Sequence, residues 1–139
     1  MIHVPFDERR PGANAQFGTL PEEEERRFFG IWWPLLGFVN EKRRLVPDWP
    51  KDPYLKGVDH ADADKLRDAL WKDDTLLESF IAADPAGLSG RDLAIVASWK
   101  RRIGKSFFVV RHLKGHSVFL DESPPARAYG VCGLYDPIE

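Results

Sequence analysis

The sequence predicts an α+β fold, with a helical N-terminal half packed on a small antiparallel sheet of about three strands near the C-terminus. Capped segments of helical periodicity fill the chain up to Gly104, and short runs of β-branched and aromatic residues follow them. Helices first and strands afterwards is the order expected when helices cover one face of a sheet. The 139 residues read as a single domain, large enough to bury a core without a disulfide or a metal. Its parts are an extended arm over 1–18, a helical part over 19–87, and a helix plus antiparallel strands over 88–139.

The arm is rich in Pro, Gly, Asn and charge and has no period. Thr19 and Glu22 form a capping box, with Pro21 in the first turn and Glu22 to Glu25 complementing the helix dipole. The apolar run Phe28 to Val39 that follows is too short to span a bilayer, which takes ~20 residues. Pro34 within it clashes with the carbonyl of Gly30, so the helix is expected to kink or split there. Prolines 47, 50 and 53 make residues 45–54 an irregular connector, and Trp49 pins it to the body. A helix is expected over Asp59 to Lys72, with Asp62 as cap and Leu66, Ala69 and Leu70 inward. Another starts at cap Asp74, buries Leu77, Phe80 and Ile81, and ends at Asp84-Pro85.

Ser89 and Asp92 make the next capping box, opening a helix expected to run to about Ile103 and to stop at Gly104. Strands are expected at Ser106 to Leu113, His116 to Asp121 and Ala126 to Cys132. Lys114-Gly115 turns the first pair, and Ser123-Pro124-Pro125 breaks the second. The expected shared core is Trp32, Leu35, Leu36, Leu93, Val96, Phe108, Val110, Val118, Leu120 and Val131. At the end of the chain, Asp136-Pro137-Ile138-Glu139 reads as a helix start, the expectation for a fragment of a longer protein.

The chain is 43% hydrophobic and 30% charged, the balance of a soluble globular protein. A lone cysteine, Cys132, and the lack of a secretory signal point to the cytoplasm. The net charge of −2 is unevenly spread. Between Leu93 and Leu120 there are six basic residues and no acidic one, against 14 basic and 22 acidic elsewhere. Lys100, Arg101, Arg102, Lys105, Arg111 and Lys114 are therefore the candidate binding residues, on one exposed positive surface. They are interleaved with Trp99, Phe107, Phe108 and Phe119, a mixture that serves nucleic-acid contact as well as an acidic protein partner. Dipole complementation and core packing account for the same residues without any ligand.

Other chemistry finds weaker footing. Asp59-His60-Ala61-Asp62-Ala63-Asp64 lacks the glycine and distal glutamate of a calcium loop, and helix capping explains it better. Cys132 with His112 or His116 is the one nucleophile and base arrangement available, although a single cysteine in an apolar strand more often packs as a small hydrophobe. Zinc on His112, His116 and Cys132 or Asp121 has no diagnostic spacing. No phosphate loop, dinucleotide fingerprint or nucleophile elbow is present. No cofactor or metal is expected. The reading is a cytoplasmic, non-enzymatic interaction module, possible as a homodimer, with a Cys132-centred enzyme and a nucleic-acid-binding protein as rivals.

The string Ser98-Trp99-Lys100, Phe107-Phe108-Val109-Val110-Arg111-His112-Leu113-Lys114, Val118-Phe119-Leu120 and Tyr129-Gly130-Val131 resembles a motif series in a family of bacterial proteins of uncharacterised function. The region of Trp32-Trp33-Pro34 is similar as well. The resemblance implies no activity and no catalytic residue.

Overall fold

The computed structural model describes Ile2, His3 and residues 19–134. The arm expected over 1–18, apart from Ile2–His3, and the helix start expected at Asp136 lie outside the described residues. The chain divides into two compact units, one comprising 28–101 and the other 1–27 with 102–139. Helices occupy the N-terminal half and an antiparallel sheet lies near the C-terminus, an α+β architecture.

In the helical unit, α1 (Glu22–Arg43) supplies the axis of the core. It runs unbroken through Pro34, where a kink or split was expected. An interior proline costs ~3 kcal/mol, and burial of Ile31, Leu35, Leu36, Phe38 and Val39 along the same helix offsets that locally. Before it Thr19 bridges Gly133 in parallel, Leu20 N donates to Gly133 O at 3.1 Å, and helical bonding begins with Glu25 N to Pro21 O.

Three shorter elements follow with caps shifted from those expected. Residues 45–54 are not wholly irregular, because Asp52 accepts from Tyr54 N and Leu55 N and opens the short helix α2 (Pro53–Lys56), with proline in the first position that tolerates it. Asp59, not Asp62, caps α3 (His60–Lys72) by accepting from Ala61 N and Asp62 N. Asp74 stands at the N-cap of α4 (Thr75–Ala83) as expected but makes no side-chain cap bond, and Asp73 accepts instead from both the backbone and the hydroxyl of Thr75. These bonds, with the Arg43 guanidinium, hold the Asp73 carboxyl below its usual range.

Ser89 caps α5 (Gly90–Ser98) as expected, its Oγ accepting from Asp92 N at 3.1 Å. The helix stops at Ser98, short of Ile103, and tightens into a 3₁₀ turn over Trp99–Arg101. Helix ends commonly finish this way, which satisfies last-turn carbonyls without a left-handed glycine. Leu66, Leu70, Leu77, Phe80 and Val96 close the core against α1. Around it Trp32 meets the rings of Phe28, Trp71 and Trp99 at centroid distances of 5.4 to 6.0 Å.

The sheet unit has strand order β1-β4-β3-β2, all neighbours antiparallel. The strands are β1 (Ile2–His3), β2 (Phe107–His112), β3 (Ser117–Asp121) and β4 (Ala128–Cys132). The three C-terminal strands match expectation to within two residues, and β1 adds a short fourth. Residues on β3 alternate, with Ser117, Phe119 and Asp121 buried. The shared core expected for the strands needs correction. Val131 is buried, but Phe108 and Val110 are 59% and 54% exposed, on a strand that stands at the end of the sheet among the described residues.

Burial therefore assigns opposite fates to two truncations. Leu70→Ala is expected to cost about 2 to 5 kcal/mol in urea unfolding, whereas Val110→Ala stays within about 0.5 kcal/mol. Equal losses at the two positions would contradict the burial described.

Candidate functional site

The hairpin β2–β3 is held by its ladder and by side chains on one of its faces. Leu113 N donates to His116 O at 2.8 Å across the Lys114-Gly115 turn. Pairing puts Phe107 opposite Asp121 and Val109 opposite Phe119, then jumps so that Arg111 faces Val118 and His112 faces Ser117. Val110 is the extra residue, a β-bulge that adds twist and redirects the strand.

The shift returns His112 to the face of Ser117, and its Nδ1 lies 2.8 Å from the Ser117 hydroxyl. On that face the rings of Phe107, Phe119 and Tyr129 meet, with Phe107 at 5.8 and 5.7 Å from the other two. Under the first strand pair lies the Asp121 side chain, wholly buried. Its Oδ1 accepts from Arg127 N at 2.9 Å, its Oδ2 from Lys105 Nζ at 3.4 Å, and its own N–H donates to Arg127 O. The Arg127 amide is the main reason the Asp121 carboxyl sits below its usual range. Burial opposes the shift, and the Lys105 ammonium adds to it.

The remainder of β2 is open. From Phe108 to His112 every residue is exposed, and Phe108, Val109 and Val110 form a continuous apolar stretch. Leu113 extends it at 43% exposure. Arg111 and Lys114 are exposed beside it, and no carboxylate occurs from Ser106 to Leu120.

The six candidate cations have different surroundings. Lys100 and Arg101 lie in the 3₁₀ turn of the helical unit, where Lys100 pairs with Glu78. Arg102 is half-buried. Lys105 pairs with buried Asp121. Only Arg111 and Lys114 stand on the hairpin itself. Lys105 and Lys114 flank opposite ends of a six-residue strand, which spans ~20 Å, so the sheet unit's cations are strung along β2 and not gathered at one point.

Of the two histidines expected as the base for Cys132, His112 is not paired with it and His116 is half-buried beside the turn. His112 is directed to Ser117, and the Cys132 thiol donates to Gly115 O at 3.3 Å. Burial, and secondarily Glu24, pushes the thiol pKa up, away from the thiolate that nucleophilic chemistry needs. Among the described residues no three His, Cys, Asp or Glu side chains come together as a metal site. Asp59 is engaged as a helix cap. No helix among the described residues is long and apolar enough to cross a membrane.

Phe108 and Val110 were expected inside as part of the apolar face of the sheet, and both are exposed. Compared with known proteins, the chain matches no family model, no curated protein and no solved structure.

Asp121 ties this geometry to pH. Because its folded-state pKa lies below the ordinary value of 3.8, its contribution is whole above that value and is lost as pH falls through the folded one. Asp121→Asn is expected to lower Tm at neutral pH and to flatten the acid limb of the stability curve. An unchanged acid limb in the variant would remove Asp121 from that role.

Proposed function

We propose that the chain is a protein-interaction module that receives an extended, acidic polypeptide along the open edge of β2. The observation that carries this reading is the exposed stretch Phe108–Val110 on an outside strand. An edge strand presents unpaired N–H and C=O groups, so an added strand gains main-chain hydrogen bonds while alternate side chains give specificity. The flanking charge is wholly basic, with Arg111 and Lys114 beside the strand and no acid between Ser106 and Leu120. An acidic strand is the complementary partner.

Edge protection accounts for part of the same geometry. Bulges and basic residues are the usual means of keeping an edge from self-pairing, and Val110 and Arg111 supply both. Protection does not account for three consecutive exposed apolar residues, since an edge kept from pairing is short or charged. The reading is of a binding protein, and the protonated, backbone-bonded Cys132 thiol supports it over catalysis. The single cysteine also suits a reducing, cytoplasmic setting.

A labelled eight-residue peptide alternating Glu with Val tests the proposal by fluorescence anisotropy. Binding should weaken with added salt. It should fall by about tenfold in Arg111→Glu and fall in Phe108→Glu, with the Tm of both variants unchanged because both positions are exposed. Two results contradict the reading: affinity unaltered by Phe108→Glu, or an oligonucleotide bound at low salt while the peptide is not. Self-pairing of the edge would be read instead as a concentration-dependent dimer that Phe108→Glu dissolves.

A further inference from the structure

The helical unit carries a second open feature, independent of the hairpin. One stripe of α1, at Gly30, Trp33, Pro34, Gly37 and Glu41, faces the loop that holds Trp49, Asp52 and Tyr54, and between them is a groove of about 560 Å³. Its spacing of three, one, three and four residues is one helical face. The start of the loop is held by Asn40, whose Oδ1 accepts from Leu45 N and Val46 N and whose Nδ2 donates to Val46 O.

Three residues on this stripe are poor choices for a helix. Gly30, Pro34 and Gly37 each lower helix stability, and all three line the groove. Packing does not require the glycines. A methyl group at Gly30 would meet no atom within 4 Å beyond its own helix backbone, and one at Gly37 would touch Trp49 only at an ordinary 3.6 Å. What the glycines do is keep the groove open to its aromatic walls. Pro34 has no N–H to donate to the Gly30 carbonyl, and its ring lies over that carbonyl.

The chemistry of the walls is consistent in sign. The Trp33 and Trp49 rings stand 6.3 Å apart at 53°, and Tyr54 is at the rim. Among the described lining residues, Glu41 and Asp52 outnumber the single cation, Lys51. Partial burial pushes the Tyr54 hydroxyl pKa up, and the Asp52 charge, held at the rim by the two amides it caps, adds to the shift. The rings of Pro34, Pro47, Pro50 and Pro53 complete the lining, which includes no Leu, Ile or Val. Tryptophan rings and carboxylates suit a planar cation with several N–H donors.

We infer that this groove binds an arginine side chain presented by an extended polypeptide. The guanidinium lies against the indole wall that Trp33 and Trp49 form together and donates toward Glu41. Arginine fits better than lysine because its plane stacks on rings while its edge still donates.

The test titrates the full chain with a blocked Gly-Arg-Gly peptide and follows the indole N–H signals of Trp33 and Trp49 by NMR. The arginine peptide should shift both signals, and the isosteric citrulline peptide, which lacks the charge, should bind at least about tenfold more weakly. Gly30→Leu should raise Tm, since it replaces a helix-interior glycine, and yet abolish the shift by filling the groove. Glu41→Gln, at an exposed position, should weaken binding and leave Tm unchanged. Equal binding of the citrulline peptide, tighter binding of a Pro-rich peptide, unaltered binding by Gly30→Leu, or no shift at millimolar peptide would each overturn the inference.

Discussion

Burial of one side of α1 is the constraint on which the helical unit depends. Ile31, Leu35, Leu36 and Val39 are almost wholly removed from water, and Leu66, Leu70, Leu77, Phe80 and Val96 complete the same core. Each such side chain contributes about 1.5 to 3 kcal/mol, enough to carry a helix through a proline. The stripe with Gly30, Pro34 and Gly37 can therefore depart from helix propensity without breaking α1. Stability is concentrated on one face, which leaves the composition of the other free to follow its groove.

In the sheet unit the corresponding role falls to Asp121. A buried carboxylate is tolerable only when its charge is met by donors, and Arg127 N and Lys105 Nζ meet it. The Asp121–Arg127 pair also bonds in the reverse direction through the backbone, so the β3–β4 connection is closed at its base. With Phe107, Phe119 and Tyr129 packed on that face, the hairpin is held from inside. Among the described residues β2 has β3 as its one strand neighbour, and Phe108, Val109 and Val110 are exposed on it.

Much of the fold could be read from local chemistry. The Ser89 cap, the Lys114-Gly115 turn and the three C-terminal strands depend on residues close in sequence, and all are found where expected. Caps at Asp59 and Asp73 were displaced by one to three residues because runs of aspartates offer several equivalent acceptors, and only backbone geometry chooses among them. Which strand lies outside is a long-range property. Phe107-Phe108-Val109-Val110 is apolar whether it is covered or not, so its exposure was not legible. The candidate cations were correctly seen as a basic segment, but two of them, Lys100 and Lys105, are engaged by Glu78 and Asp121 from distant parts of the sequence. The groove left a local signal in the glycines of α1, read there only as part of an apolar run.

The openness of β2 is what the functional account requires. The most direct measurement is amide hydrogen exchange along Phe107–His112, taken on the dilute chain and again with the acidic peptide at saturation. The account predicts fast exchange at the outward-facing amides of β2 in the free chain, slow exchange along β3, and protection of those outward amides when the peptide is bound. Outward β2 amides already protected in the free chain, or left unprotected by the bound peptide, would contradict it.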